Sequence, residues 1–162
     1  MSKSNDFSQY WEKEIKRANN LFDKKFLTEA NSTYINVYKQ IDKVITASLK
    51  DKEIITHKTL LQLVITNDSI ADVFSQSEQN IEQIKYQVKT LKTLIKVIQK
   101  DPEKANLFMD LFNQVYLKYC KVIDSTDLRF SQTISEQIVG DKISIDQFHY
   151  SLKFNQSKKI KI

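Results

Sequence analysis

Few side chains in this sequence could carry chemistry. Cys120 is the single cysteine, and His57 and His149 are the only histidines. A nucleophilic thiolate needs a basic neighbour. Cys120 instead sits beside Tyr119 on a long apolar stripe, where a small buried hydrophobe is the usual role. Neither histidine has a second Cys or His at metal-ligand spacing. Glu12 and Glu14 fall on different faces of any helix and make no acid–base pair. Phosphate-cradling loops need several glycines, and Gly140 is the only one. These absences lead to the expectation of a non-catalytic protein with no metal and no cofactor.

Two short strings resemble known motifs and depart from them at the residues that matter. Asp146 and His149, at i and i+3, resemble half of a helical di-iron site, but that site uses Glu and needs two copies plus two further Glu. Gly140 to Phe148 resembles the closing half of an EF-hand loop. There Gln147 occupies the position of the bidentate Glu, and Glu136, Ile138 and Gly140 cannot complete an oxygen cage.

The residues with a binding pattern are lysines. Lys85, Lys89, Lys92, Lys96 and Lys100 recur at steps of 4, 3, 4 and 4 with no acid between Gln83 and Lys100. On a helix they form a one-signed stripe about 24 Å long. Together with Lys158, Lys159 and Lys161 near the C-terminus they are the expected contacts if the protein binds nucleic acid or another anionic surface. The ordinary reading is a solvated face paired with acids such as Glu103 or Asp110. Net charge is +5, of which the last ten residues supply +4, leaving +1 for residues 1–152. Overall basicity therefore says little about nucleic acid.

Positioning falls to helices. One Gly and one Pro occur in 162 residues, where an average chain would carry roughly ten and eight. Strands need turns and turns need those residues, so the chain reads as all-α with few short connections. With 41% hydrophobic residues it can bury a sizeable core. The expected organisation is one bundle domain over residues 1–155 and a basic, disordered tail over 156–162. A lone cysteine excludes an intramolecular disulfide framework. No apolar leader or membrane span is legible, so a reducing, cytoplasmic setting is expected.

Ile81, Ile84, Val88, Leu91, Ile95 and Ile98 recur at steps of 3, 4, 3, 4 and 3, a heptad seam. Ser69 with Asp72 looks like its capping box, giving a helix over about 70–100. Asp101, Pro102 and Glu103 then end it and start the next. Phe108, Leu111, Val115, Tyr119 and Val122 continue the stripe, Ser125 to Asp127 offer a kink or loop, Phe130, Ile134 and Ile138 resume it, and Gly140 stops it as a C′ residue. This makes an elongated, coiled-coil-like antiparallel hairpin of about 70–100 and 102–139. A short C-terminal helix follows, with Ser144 and Gln147 as capping box and Ile143 and Phe148 as staple.

Upstream, Asp6 with Gln9 is the expected cap of a helix facing inward through Trp11, Ile15, Ala18, Phe22 and Phe26. Asn31 to Thr33 interrupt the pattern before Tyr34, Val37, Ile41 and Val44 restore it, leaving open whether 6–50 is one helix or two. Lys50 to Glu53 reads as a connection, and Ile54 to Ile65 as a short helix. Leu94 and Val97 lie outside the seam and widen its apolar face, making them the expected contacts for a partner helix or a second copy in a homodimer. The functional expectation is a protein-binding adaptor, scaffold, chaperone or immunity-type inhibitor working through apolar helix faces.

Overall fold

The computed structural model describes residues 3–127 and 132–160, with side chains for 6–127 and 132–154. It is an all-α bundle with adjacent helices in contact. The helices are α1 (Lys3–Asp23), α2 (Leu27–Lys50), α3 (His57–Gln76), α4 (Asn80–Lys100), α5 (Ala105–Asp124) and α6 (Gln132–Ile160), and no strand occurs among the described residues. The chain forms two compact units, Met1–Gln87 and Val88–Ile162, with the boundary inside α4. No described helix is long and apolar enough to cross a membrane.

In the first unit, the inward row of α2 is Ala30, Tyr34, Val37, Ile41 and Ile45, all 2% exposed or less; Val44 points outward. It packs with Ile15 and Ala18 of α1 and with Leu60, Leu63, Val64 and Ile70 of α3 in one apolar core. A polar ladder runs through it. The Trp11 indole N–H donates to Thr66 Oγ1 at 2.9 Å, the Thr66 hydroxyl donates to the Gln62 carbonyl at 2.8 Å, and Gln62 Nε2 donates to Ser8 Oγ at 3.3 Å. Tyr86, at the start of α4, meets Tyr38 edge-on with ring centroids 5.4 Å apart.

The corners of this unit explain why its helix ends were hard to read. Lys25, Lys52 and Glu78 adopt left-handed backbone with φ of 68°, 56° and 56°, the conformation glycine usually supplies at a helix end. Phe26 N–H reaches Leu21 O at 2.9 Å, Glu53 N–H reaches Ser48 O at 2.9 Å and Gln79 N–H reaches Phe74 O at 2.8 Å, closing each last turn. Two separate helices therefore cover 3–50, and the break falls at Lys24–Phe26. Asn31 to Thr33 lie inside α2. Asp6 is a first-turn acid within α1 rather than its cap.

The seam helix is shorter than expected, because residues 70–76 belong to α3. Thr66 and Ser69 hydroxyls bond back to the carbonyls of Gln62 and Ile65 at 2.8 and 3.1 Å, the mid-helix alternative to capping. The true cap of α3 is Thr56, whose side chain accepts from Thr59 N–H. Ile54, expected in that helix, is left 77% exposed before it.

In the second unit, α4 ends at Lys100 and Pro102 opens the next segment, as its chemistry requires, through a 3₁₀ turn at Pro102–Lys104 that leads into α5. Phe108, Met109, Leu111, Phe112, Val115, Tyr119 and Ile123 are the buried side of α5; Ile123, not Val122, completes the row. The continuous partner helix over 102–139 does not form, since α5 stops at Asp124 with Ser125 as its C-cap. Phe130 lies outside the described residues. Gly140 is not a stop: it sits inside α6 with helical backbone, and Ser144 Oγ donates to its carbonyl at 3.3 Å instead of capping a new helix. One 29-residue helix thus replaces a helix end plus a short C-terminal helix, and its backbone is helical through Ile160, into the segment expected to be a disordered tail.

Candidate functional site

The structure brings together three of the residues considered for chemistry, Cys120, Asp146 and His149, and adds Tyr116 and Lys142 to them. In the second unit, Tyr116 of α5 donates its hydroxyl to Asp146 Oδ1 of α6 at 2.6 Å, and Lys142 Nζ donates to Asp146 Oδ2, also at 2.6 Å. The His149 ring stacks on Tyr116 with centroids 4.0 Å apart, and Cys120, half-buried, lies one turn from Tyr116 on the same helix. Helical spacing on two facing helices makes this constellation: 116 and 120 on α5, and 142, 146 and 149 on α6.

The electrostatics are those of a closed network. Burial alone would raise the Asp146 carboxyl, but the hydrogen bonds from Lys142 and Tyr116 outweigh it and hold the group below the ordinary carboxylate range. Burial, then the bond to Asp146, pushes the Tyr116 phenol up, and the Asp146 bond raises Lys142. Burial and the neighbouring Lys153 charge lower His149. Both Asp146 oxygens are thus taken by donors, and one face of the imidazole is covered by an aromatic ring. Among the described residues no group of three metal-ligating side chains converges. His57 is an exposed first-turn residue of α3, far from this cluster in sequence. The geometry is that of a clasp joining α5 to α6.

All five lysines of the α4 stripe are exposed. Lys85 and Lys92 are bonded to acids other than those expected: Lys85 to Glu82 one turn earlier at 3.2 Å, and Lys92 to Asp141 of α6 at 2.8 Å. Exposed pairs of this type contribute about 0–1 kcal/mol each. Lys158 and Lys159 fall on the backbone of α6 but outside the described side chains, and Lys161 lies outside the described residues altogether.

Leu94 and Val97 are 0% and 3% exposed. They are core residues of a single chain, so a partner helix or a second copy finds no surface at these positions. The apolar face of α4 is wider than a heptad seam because the helix is embedded rather than paired along one line.

An apolar surface is present elsewhere, on α6. Its inward row is Ile138, Ile145 and Leu152, each two turns apart and buried. On the opposite side stand Val139, Ile143, Tyr150 and Phe154, 49%, 55%, 70% and 50% exposed. At about 100° per residue these four span only about 60° of arc. Reading Gly140 as a stop hid this face; the recurrence at steps of 4, 7 and 4 was the available signal. Sequence also gave no hint of an open groove of about 460 Å³ in the first unit, between the N-terminal half of α2 and the end of α3. Leu27, Ile35, Val73 and Phe74 supply its apolar lining, and Asn31, Asn36, Lys39 and Gln79 its polar lining.

The described residues form an all-α bundle in which α6 carries an outward row of exposed apolar side chains. No family model, curated protein or solved structure matches the chain.

Proposed function

We propose that this protein works by binding rather than by chemistry, as a helical-bundle interaction module of the adaptor, scaffold, chaperone or inhibitor kind, with the outer face of α6 as its contact surface. The observation that supports this reading is the row Val139, Ile143 and Tyr150. These apolar side chains stand on one helix face, opposite the row that serves the core, and are 49%, 55% and 70% exposed. The saturated Tyr116–Asp146–Lys142 clasp supports it too, since each group is committed to another and none is poised to move a proton to a substrate.

A photo-crosslinking residue at Tyr150, with the exposed Lys43 of α2 as control position, tests the proposal in the native host. Protein adducts are expected at position 150 and not at 43; equal or absent labelling at both rejects it. The exposed lysines of α4 support a second reading, an anionic partner, less well, because Lys85 and Lys92 are already paired with Glu82 and Asp141. Retention of a nucleic-acid probe that falls steeply with salt would favour that reading instead.

A further inference from the structure

Along the groove of the first unit, Asn31, Ile35 and Lys39 of α2 stand in one line, four residues apart and so one above the other on the helix. They set a side-chain amide, an apolar group and a cation in that order over about 12 Å. Val73 and Phe74 of α3, 3% and 7% exposed, add an apolar wall. The groove volume, about 460 Å³, falls within the roughly 300–1,000 Å³ of small-molecule sites. Spread over about 12 Å, that volume gives a cross-section of about 40 Å², half that of an α-helix about 10 Å across and wide enough for one hydrocarbon chain.

The two ends of the line ask for different groups. The side-chain oxygen of Asn31 is buried and has no hydrogen-bond partner, which costs free energy until a donor reaches it. Rotation about the last torsion of asparagine is soft, so this oxygen can turn toward a donor placed in the groove. Lys39, exposed at the other end, is the only charged side chain among the described residues of the lining. An occupant there meets a positive charge and no negative one, which suits an anion.

We infer that this groove binds a free medium-chain carboxylic acid with a hydroxyl or amide N–H at its far end, about 8–10 carbons long at an advance of about 1.25 Å per carbon. The carboxylate meets Lys39, the chain lies over Ile35 against Val73 and Phe74, and the donor reaches Asn31 Oδ1. All of these residues belong to the first unit. The inference therefore goes beyond the protein-binding reading of α6 and is tested without it.

The probe is ω-hydroxydecanoate, titrated into the isotope-labelled full chain below its micelle-forming concentration and followed by amide resonances. Signals within 27–39 and 73–79 should shift together and saturate. Decanoate, which lacks the donor, and α,ω-decanediol, which lacks the charge, should each bind about 5–10-fold more weakly. Asn31→Ala should erase the preference for ω-hydroxydecanoate over decanoate. Lys39→Glu should weaken both acids and leave the diol unchanged. Both substitutions introduce good helix formers, and far-UV circular dichroism should show the fold intact. If ω-hydroxydecanoate shifts none of these amides at millimolar concentration, the inference is overturned. Equal binding of all three probes, untouched by either substitution, also overturns it, since that result marks unspecific partition onto apolar surface.

Discussion

Gln87 is fully buried, and neither its amide nitrogen nor its amide oxygen has a hydrogen-bond partner. It lies on α4 beside other buried polar residues, Gln83 and Thr90, four residues before it and three after. An unpaired buried polar atom costs about 1–3 kcal/mol, and methionine matches glutamine in length and helix propensity. Gln87→Met therefore removes two unpaired atoms while filling the same space. Allowing for loss of favourable polarisation in the amide, the net gain should be about 2 kcal/mol. For a chain of this size that raises the melting temperature by about 4–8 °C. Thermal unfolding followed by circular dichroism, with a urea titration to confirm an unchanged m-value, reads the effect directly. A melting temperature equal to or below that of the unsubstituted protein refutes the reasoning, because it would mean that Gln87 is fully hydrogen-bonded in solution.

The left-handed corners offer a second perturbation: Lys25→Gly and Glu78→Gly should each stabilise the fold by about 0.5–1 kcal/mol in urea titrations, and the two gains should add. Tyr116→Phe removes the donor to Asp146 and should cost about 1–2 kcal/mol, read as a lower urea midpoint, while leaving helix content intact. The lowered Asp146 carboxyl contributes stability that is present above its unfolded value near pH 4 and lost as pH falls through its folded value, so Asp146→Asn should flatten the acid limb of the stability–pH curve. His149, also lowered, adds a loss that begins as pH drops below about 6.5 and is complete below its folded value; His149→Phe should remove that part of the acid sensitivity.

Helical class was legible because the near absence of Gly and Pro leaves a chain little else to form, and the Lys100–Pro102 boundary because proline fixes its own backbone and lacks a donor. Other boundaries carry no reliable glycine signal. Gly140 resembles a terminator in sequence yet has helical backbone, while Lys25, Lys52 and Glu78, which do terminate helices, carry no sequence mark of left-handed backbone. Hydroxyls misled in the same way: Thr66, Ser69 and Ser144 bond back to the preceding turn, a choice set by the packing around them and not by their neighbours in sequence. The clasp could not be foreseen, because Tyr116 and Asp146 are 30 residues apart and only the pairing of α5 with α6 joins them.

The polar ladder of the first unit has a consequence for uniqueness. Amphipathic helices with repeating apolar residues and almost no Gly or Pro can slide past one another by one turn and still bury apolar surface, so several packings compete at similar free energy. Ser8, Trp11, Gln62 and Thr66 remove that degeneracy. A slip of about 5.4 Å between α1 and α3 would separate Trp11 from Thr66 and Ser8 from Gln62 together, leaving buried donors unmatched at about 1–3 kcal/mol apiece. The ladder thus acts as a key that admits one alignment of these helices, and a chain with leucine at Gln62 and valine at Thr66 would be expected to gain apolar burial while losing its single native register, visible as broadened and multiplied amide resonances.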